Sequence, residues 1–360
     1  MSHIMRLCIY GGQYGSEGKG SVAEYIARNG ARTFKKQDDK EKMAKLVAIG
    51  ENSPNSGHTC SLGKTRNMPA VSYFADQVIL GPDSAVSLGV LLGDLANIKA
   101  AVGKTPRIYI HEHAAFVCPE HEKEERTYGL VERISSTGSG SGASRAFHKY
   151  YMRELDAVIR TRSITGLTDQ GYEVVVVNRY QYQELIRSII TEEYDCLMEC
   201  SQGTLLDTNW GIYPYVTSKS TLPRVAVERN ALGPLGFNYV GVYRTYPIRT
   251  GGPSGPTGAA ETTFAKIGVK DEIATVTKRV RRVFEFSRDD FELSINLTRP
   301  WVVAFTHLDY IGVKPDNLLG FMRWYIDAMG GPGSLLHYRV EGLLLSDETG
   351  KFANHQQQEL

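Results

Sequence analysis

"GGQYGSEGKG", residues 11–20, contains five glycines and one lysine in ten positions. The apolar run LCIY, residues 7–10, precedes it and is typical of a short buried strand. SVAEYIARN, residues 21–29, follows it with Val22 and Ile26 at the spacing of one helix face. In this order of strand, loop and helix, the free N–H groups at the start of the helix point towards the loop and favour an anion. The stretch therefore predicts a phosphate-binding loop, with an ordinary glycine turn as the alternative.

The spacing within this loop differs from that of the common P-loop. Five residues separate Gly12 from Gly18 and Lys19, where the P-loop motif has four, and Gly20 replaces its Ser or Thr. Glycines still allow phosphate oxygens to approach the backbone, and Lys19 can balance their charge. The context therefore supports the prediction more strongly than the motif does.

Composition limits the classes of protein that the chain can belong to. Its 360 residues suffice for one large domain or two ordinary ones, and we expect a single domain over residues 1–360, with a cloning addition as the alternative for residues 1–4. The net charge of +1, from 41 basic and 40 acidic side chains, gives no basic excess for a nucleic-acid polymer. Five cysteines without a CxxC pair predict a reduced, cytoplasmic protein. No apolar stretch approaches the about 20 residues that span a bilayer, so we expect neither a membrane protein nor an exported one.

Short apolar runs alternate with amphipathic stretches along the chain, which predicts an α/β fold. Several runs are apolar throughout, as strands of a parallel sheet covered on both faces would be. The predicted strands are residues 7–10, 45–49, 77–80, 107–110, 173–177, 195–200, 238–243 and 301–305. The predicted helices are residues 21–29, ended by Gly30, and residues 84–101, 144–161 and 179–191, and a loop is predicted over residues 249–258.

Four predicted strands run directly into polar loops. These loops are GGQYGSEGKG from residue 11, GENSPNSGHT from residue 50, SQGTLLD from residue 201 and THLD from residue 306. Since ligands of open α/β sheets bind beyond the carboxyl ends of the strands, we expect one shared site. Four unrelated turns are the alternative.

Histidines and cysteines are the candidates for acid–base chemistry or metal binding. His58 follows a predicted strand, where a histidine can act as a general acid near neutral pH, with a structural role as the alternative. His111 and His113 in HEHAAF lack further ligands, so we interpret them as ordinary polar surface and not as a metal site. Cys196 and Cys200 likewise lack the partners of a zinc site.

The motifs resemble, in their order, those of adenylosuccinate synthetases. They are GGQYGSEGKG, NSGHT, SSTGSGSG, SQGTLLD, YPYVTS, TKRVRR and THLD, and the resemblance extends from residue 8 to about residue 310. Enzymes of this family use a nucleoside triphosphate to phosphorylate the 6-oxo group of a purine nucleotide, and the amine of aspartate then displaces that phosphate. The resemblance implies a carbon–nitrogen ligase of purine biosynthesis that uses Mg²⁺. It also implies a P-loop-like, mostly parallel central sheet with flanking helices and loop subdomains, and a homodimer with shared active sites.

The resemblance also implies a role for each matching residue. His58 would be the acid that stabilises the 6-oxyanion, Gln202 would assist at that oxygen, and Ser16 stands at the position of the family's catalytic base. Mg²⁺ would be bound by Ser16 and by the carbonyl group of Gly57. The implied triphosphate site consists of Ser16, Glu17, Gly18, Lys19, Gly20, Gly57, His58, Thr59, His307, Leu308 and Asp309. The implied purine-nucleotide site consists of Asn55, Ser136, Thr137, Arg145, Arg153, Gln202, Thr217, Thr250 and Arg279.

Arginines complete the site that the resemblance implies. Arg145 and Arg153 are the two candidates for an arginine that the partner subunit supplies. Thr277, Arg279 and Arg281 of TKRVRR would bind aspartate, because the planar guanidinium group binds carboxylates in bidentate fashion. A solvated helix face would otherwise explain this basic run.

Ser16 departs from the family pattern, which has an aspartate there as the base for N1–H and as a Mg²⁺ ligand. A serine hydroxyl is not a useful base at neutral pH without a further group. Serine leaves room beside N1 for the 2-amino group of guanine, whose hydrogen bond its hydroxyl can accept. This serine is the mark of the phage branch of the family, to which the sequence is most similar. That branch converts dGMP and L-aspartate into N6-succino-2-amino-2'-deoxyadenylate, a diaminopurine precursor for modified phage DNA, in the cytoplasm of the host.

His307 replaces the lysine of the family's TKLD, the sequence that reads guanine in GTP. This replacement argues against a guanine donor, and the phage branch implies ATP or dATP as the phosphoryl donor, with GTP less favoured. Asp309 could still accept a hydrogen bond from the base. Two alternatives stay open: an adenylosuccinate synthetase that acts on IMP, and a non-catalytic regulator that binds purine nucleotides. His58, Gln202 and Arg281 argue against the regulator, because binding alone needs none of them.

Overall fold

The computed structural model describes residues 4–34, 45–151, 153–192, 194–233, 236–274, 276–311, 342–346 and 352–353. The strands of this part are, in chain order, β1 (Arg6–Gly11), β2 (Leu46–Gly50), β3 (His58–Cys60), β4 (Gly63–Thr65), β5 (Gln77–Leu80), β6 (Ala85–Ser87), β7 (Arg107–His111), β8 (Ala115–Val117), β9 (Val174–Val177), β10 (Asp195–Gly203), β11 (Asn238–Arg244), β12 (Ile248–Arg249), β13 (Glu261–Thr262), β14 (Arg282–Phe284), β15 (Val302–Thr306), β16 (Gly342–Ser346) and β17 (Phe352–Ala353). The α-helices are α1 (Lys19–Phe34), α2 (Leu88–Val102), α3 (Pro119–Thr127), α4 (Leu130–Ile134), α5 (Ser141–Ala146), α6 (Arg153–Thr168), α7 (Arg179–Thr191), α8 (Pro223–Arg229) and α9 (Arg288–Thr298).

A large sheet with the order β17-β16-β15-β11-β1-β10-β2-β5-β7-β9 forms the centre of the described part. Its neighbouring strands are parallel except for β16 and β17 at one edge. All eight strands predicted from the sequence belong to this sheet, which confirms the α/β fold with a mostly parallel centre. Because β1 lies between β10 and β11, the glycine-rich loop leaves the middle of the sheet.

The core lies on both faces of this sheet, as the unbroken apolar runs predict. Side chains alternate between the faces along β1: Leu7 and Ile9 pack in the core on one face, and Cys8 and Tyr10 in the core on the other. α1 and α2 contribute to the first core, and α7 and α8 contribute to the second.

Two helices differ from the prediction in their bounds. Gly30 does not end the first helix, which continues to Phe34, because a glycine inside a helix costs only about 1 kcal/mol. The second helix begins at Leu88 and not at residue 84, since residues 85–87 pair with β8 as a short strand.

The predicted helix over residues 144–161 is divided in three. It comprises the end of α5, a π-helical turn at Phe147–Tyr151 and the first half of α6. Residues 250–258 form the predicted loop. No helix among the residues that the structure describes has the length and apolarity to cross a membrane. The single domain over residues 1–360 stays a prediction, since residues 312–341 lie outside the described part.

His111 contradicts the prediction that HEHAAF is ordinary polar surface. Its side chain is buried, packs edge-on against Tyr182 and accepts the backbone N–H of His113 over 3.0 Å. Burial lowers the pKa of His111 to about 4, so the ring is neutral at pH 7. Among the described residues, no group of three or more His, Cys, Asp or Glu side chains could hold a metal ion.

Gly20 allows the hairpin of β3 and β4 to pack against the first turn of α1. A Cβ atom at this position would overlap the backbone of Thr59. Thr59 pairs with Lys64 in the hairpin, so its backbone cannot move on its own. The Ser or Thr of a P-loop would therefore not fit at this position.

We expect Gly20→Ala to lower the midpoint of thermal unfolding, since overpacking against fixed backbone costs about 1–3 kcal/mol. Gly93→Ala is the matched control, because Gly93 lies inside α2 with no atom within 4 Å of the added carbon. Alanine there should keep or raise the midpoint. Circular dichroism during heating measures both variants, and an unchanged midpoint in Gly20→Ala would contradict the close packing.

Candidate active site

A cavity of about 280 Å³ lies beyond the carboxyl end of β1. Residues of the loops after β1, β2 and β10 line it, so three of the four predicted loops share one site. The predicted site residues in its wall are Ser16, Lys19, Asn55, Gly57, His58, Ser136, Thr137, Gln202, Thr217, Thr250, Thr277 and Arg281. The structure thus brings together residues from all four implied subsites, while their individual roles stay predictions.

Glu17 organises the glycine-rich loop from inside. Its fully buried carboxylate accepts the backbone N–H groups of Gln13 and Gly15 over 3.2 and 2.7 Å. The same carboxylate forms an ion pair with Lys19 over 2.8 Å. The side chain of Glu17 is therefore engaged within the loop, which leaves only its backbone to contact a phosphate.

Hydrogen bonds join the glycine-rich loop to the turn that follows β10 and to the end of β15. The backbone N–H of Leu205 donates to the carbonyl oxygen of Gln13 over 2.9 Å, and the hydroxyl of Thr204 donates to that of Gly11 over 2.9 Å. The hydroxyl of Thr306, the last residue of β15, donates to the carbonyl oxygen of Glu17 over 2.7 Å. The THLD segment therefore adjoins the glycine-rich loop without forming part of the cavity wall.

His58 lies in the cavity wall and is oriented by a buried carboxylate. Its Nδ1 lies 2.6 Å from Oε1 of Glu199, and its Nε2 has no hydrogen-bond partner among the described residues. The other oxygen of Glu199 accepts the backbone N–H of Ala70 over 2.7 Å. Burial alone would raise the pKa of Glu199, but the neighbouring His58 holds that pKa below its ordinary value. An ionised Glu199 accepts from Nδ1–H and thereby fixes the orientation of the ring, as a positioned acid needs.

Glu199 is a site residue that the sequence prediction missed. It lies in β10, whose residues 196–201 are all buried. A carboxylate inside a buried strand is seldom found without a partner. The glutamate within the apolar run DCLMEC therefore indicated that a partner for its carboxylate lies nearby in the fold. The identity of that partner depends on the fold, since His58 is 141 positions away.

We expect Glu199→Gln to lower kcat at least tenfold while the KM values of the nucleotides stay near those of the wild type. Glutamine can accept from Nδ1–H but lacks the negative charge of the carboxylate, and a positioned acid contributes about 10²–10⁴ in rate. Steady-state kinetics measures the effect. Glu173→Gln, in an exposed ion pair with Arg107, is the control and should match the wild type. A wild-type kcat in Glu199→Gln would show that the pair has no part in turnover.

Two residues of TKRVRR, Thr277 and Arg281, lie in the cavity wall, where their polar groups can bind a ligand. Nη1 of Arg281 donates to the hydroxyl of Ser16 over 2.7 Å. The hydroxyl of Thr277 is buried and has no hydrogen-bond partner among the described residues. A buried hydroxyl without a partner is costly, which is consistent with a group that a ligand satisfies.

Of the remaining predicted site residues, those whose side chains the structure describes do not line the cavity. They are Glu17, Gly18, Gly20, Thr59, Arg145, Arg279, His307, Leu308 and Asp309. Arg145 is buried, and two of its guanidinium nitrogens donate to the carbonyl oxygen of Asp83 over 3.0 and 3.1 Å. Arg153 begins α6, but its side chain lies outside the described residues. Arg279 is exposed, and the roles of all three arginines stay predictions.

Tyr14 and Arg249 are cavity residues that the sequence prediction did not identify. The guanidinium carbon of Arg249 lies 4.7 Å from the centre of the Tyr14 ring, and the Tyr14 hydroxyl donates to Asp290 over 2.8 Å. Burial lowers the pKa of Arg249 to about 10, so the side chain stays charged at pH 7. It adds a fixed positive charge to the wall.

Comparisons with known proteins agree with these motifs. The family model of adenylosuccinate synthetase matches residues 146–314. The N6-succino-2-amino-2'-deoxyadenylate synthase of Vibrio phage phiVC8 is 30% identical over 310 residues, which cover 83% of this chain and 84% of that protein. The chain belongs to the adenylosuccinate synthetase family. It is therefore a carbon–nitrogen ligase that uses aspartate and a purine nucleotide, as the motifs predict.

Other members of the adenylosuccinate synthetase family are similarly related. The enzyme of Methanocaldococcus jannaschii is 29% identical over 313 residues, which cover 84% of this chain and 81% of that protein. The solved structure of cyanophage S-2L succinoaminodeoxyadenylate synthetase, bound to dGMP and dATP as an energy donor, has a TM-score of 0.74. It covers 96% of this chain and 93% of its own, with 24% identity, and confirms the P-loop-like α/β fold.

Proposed function

We propose that this ligase joins L-aspartate to C6 of dGMP and forms N6-succino-2-amino-2'-deoxyadenylate. The observation that carries the proposal is Ser16, which lines the cavity and, by the motif resemblance, stands where the family has an aspartate. This short, uncharged side chain leaves room for the 2-amino group of guanine and can accept its hydrogen bond. Relatives from two phages, phiVC8 and S-2L, are named as synthases of this product, which supports the proposal.

The proposed reaction has two steps. O6 of dGMP attacks the γ-phosphorus of a nucleoside triphosphate, the N1 proton leaves, and a nucleoside diphosphate departs. The aspartate amine then adds to C6 and loses a proton, and O6 departs with the phosphoryl group as inorganic phosphate. His58 and Gln202 stabilise the charge on O6, and Lys19 binds the phosphates. Thr277 and Arg281 bind the carboxylates of aspartate.

Mg²⁺ would enter this site with the triphosphate, whose oxygens would supply most of its ligands. Magnesium is usually bound by one or two carboxylates and by substrate phosphates. In the described cavity wall, Ser16 and the Gly57 carbonyl group offer neutral oxygens, and the nearby carboxylate of Glu17 is engaged by Lys19. When bound, the ion would neutralise phosphate charge. Ser16 and Gly57 would then be its ligands from the protein.

A homodimer is part of the proposal, with one arginine of the partner subunit completing the purine-nucleotide site. The guanidinium of Arg145 is bound by carbonyl oxygens of its own chain. This observation favours Arg153 for the shared role.

We expect Ser16→Asp to shift preference away from dGMP towards purines without a 2-amino group. The longer, charged side chain would crowd the space beside C2 and restore a base for N1–H. A misfit of about 1–3 kcal/mol changes the ratio of kcat/KM values about 10–200-fold. The measurement is kcat/KM for dGMP, dIMP and IMP, each obtained from the rate of phosphate release with aspartate present.

Ser16→Ala is the control for this substitution, because it removes the hydroxyl without adding charge or length. If Ser16→Asp still favours dGMP by the wild-type margin, Ser16 does not select the purine. A wild-type enzyme that prefers IMP would be an adenylosuccinate synthetase, and one without turnover on any purine would be a regulator.

We propose ATP or dATP, in preference to GTP, as the phosphoryl donor. His307 packs edge-on against Tyr310 at 5.1 Å between ring centres, and its Nδ1 lies 2.9 Å from the hydroxyl of Thr306. The side chain of His307, which replaces the guanine-reading lysine, thus contacts neighbouring residues of its own segment. The structure of the S-2L enzyme with dATP as an energy donor supports the choice.

We expect Asp309→Ala to raise the KM of dATP about tenfold or more, with little change in the KM of aspartate. A hydrogen bond to a charged group contributes about 1.5–3 kcal/mol, and Asp309 is the acceptor proposed for the donor base. Initial rates at saturating dGMP give both constants. Asp169→Ala, an exposed change after α6, should leave them unaltered. An unchanged KM for dATP in Asp309→Ala would remove Asp309 from the donor site.

A further inference from the structure

Arg244, at the end of β11, binds the glycine-rich loop at two positions. Its backbone N–H donates to the side chain of Gln13 over 2.8 Å, and the Gln13 amide donates back to its carbonyl oxygen over 3.1 Å. Nη1 of its guanidinium donates to the carbonyl oxygen of Ser16 over 3.1 Å. The side chain of Arg244 is only 1% exposed, so these contacts are shielded from water.

Ser16 needs such a contact because its backbone is left-handed, with φ at 57°. This conformation costs a residue with a side chain about 1–2 kcal/mol, whereas Gly15 and Gly18 adopt φ of 93° and 89° without that cost. The hydrogen bond from Arg244 stabilises the peptide of Ser16 in this conformation. It thereby determines the direction in which the Ser16 side chain leaves the backbone.

Glu272 holds the guanidinium of Arg244 in place. Its carboxylate accepts from Nη1 and Nη2 of Arg244 and, over 2.8 Å, from the hydroxyl of Tyr310. Burial alone would raise the pKa of Glu272, but Arg244 and Tyr310 hold that pKa below its ordinary value. The carboxylate is therefore ionised at neutral pH and forms a bidentate ion pair with Arg244.

The same carboxylate lies close to Arg281. Nε of Arg281 is 3.9 Å from Oε2 of Glu272, while its Nη1 donates to the Ser16 hydroxyl. Glu272 thus contacts both arginines that bind Ser16, one at the carbonyl oxygen and one at the hydroxyl. Neither Glu272 nor Arg244 lines the cavity, so an effect of either on substrate preference must pass through other residues.

We propose that Arg244 and Glu272 form a positioning pair that sets the orientation of Ser16 and, through it, the preference for a purine with a 2-amino group. The inference rests on the proposed function, in which the Ser16 hydroxyl accepts a hydrogen bond from that group. Neither residue of the pair touches the substrate. If the peptide of Ser16 turns, its hydroxyl leaves the 2-amino group without a partner, and a substrate amine without a partner is discriminated against.

The test compares kcat/KM for dGMP with kcat/KM for dIMP in Glu272→Gln. Glutamine keeps the size of the side chain but removes the charge of the bidentate pair. We expect the preference for dGMP over dIMP to fall about five- to tenfold, the effect of losing one hydrogen bond. The ratio of the two kcat/KM values separates a change of preference from a loss of stability, because a partly unfolded enzyme loses activity towards both substrates equally.

Two further variants accompany this measurement, one as a second test of the pair and one as a control. Tyr310→Phe removes one hydrogen bond to Glu272 without touching the ion pair, and should lower the preference about twofold. Glu261→Gln is the matched control, since Glu261 forms a similar ion pair with Arg282 and does not line the cavity. The preference of Glu261→Gln for dGMP over dIMP should equal that of the wild type.

Ser16→Ala, measured in parallel, separates the inference from the proposed function. If Ser16→Ala lowers the preference but Glu272→Gln and Tyr310→Phe do not, the pair is only structural and the inference is wrong. If Ser16→Ala leaves the preference unchanged, the proposed role of Ser16 fails, and the inference with it. If the wild type does not turn over dGMP, the proposed function itself fails. A lower preference in all three variants, with Glu261→Gln unchanged, supports the inference.

Discussion

The buried carboxylate of Glu17 is the constraint on which the rest of the site depends. It has no exposed surface and is satisfied by the backbone N–H of Gly15 and by Lys19. An ion costs several kcal/mol to bury unless such partners surround it, so the loop has to fold around the carboxylate. Gly11 and Gly203 lie so close that a side chain at either would overlap it. Gly11 and Gly203, the last residues of β1 and β10, thus make room for a protein carboxylate.

A second buried carboxylate extends this arrangement across the sheet. The Glu17 carboxylate orders the loop after β1, whose backbone carbonyl oxygen at Glu17 accepts the hydroxyl of Thr306 at the end of β15. The Glu199 carboxylate joins the loop after β2 to β10 through His58. Both carboxylates lie below the cavity wall in hydrogen-bonded networks, where low polarity strengthens each contact and penalises the loss of any one. The loops are therefore ordered relative to one another before a substrate binds, which is the condition for electrostatic stabilisation of a transition state.

The sequence predicts the sheet well because several of its strands are unbroken apolar runs, and parallel strands bring their following loops to one edge. It predicts helix ends less well, since Gly30 is tolerated inside α1 and Val86 pairs in a strand. The charged partners of the site could not be predicted. Glu272 lies in no apolar run, and nothing local distinguishes it from an exposed glutamate; only the fold brings it to Arg244.

Ser16 illustrates how a hydroxyl can take the place of a carboxylate without taking over its chemistry. A hydroxyl has one proton to donate and two lone pairs with which to accept. Arg281 already donates to this oxygen over 2.7 Å, and a neighbouring positive charge disfavours the uptake of a further proton. Ser16 is therefore poorly suited to remove the N1 proton. In the proposed reaction its second lone pair serves the 2-amino group, while the guanidinium of Arg281 favours a purine that carries negative charge at N1. Recognition would then come from the hydroxyl and charge stabilisation from the arginine, whereas the family's aspartate removes the N1 proton and binds Mg²⁺.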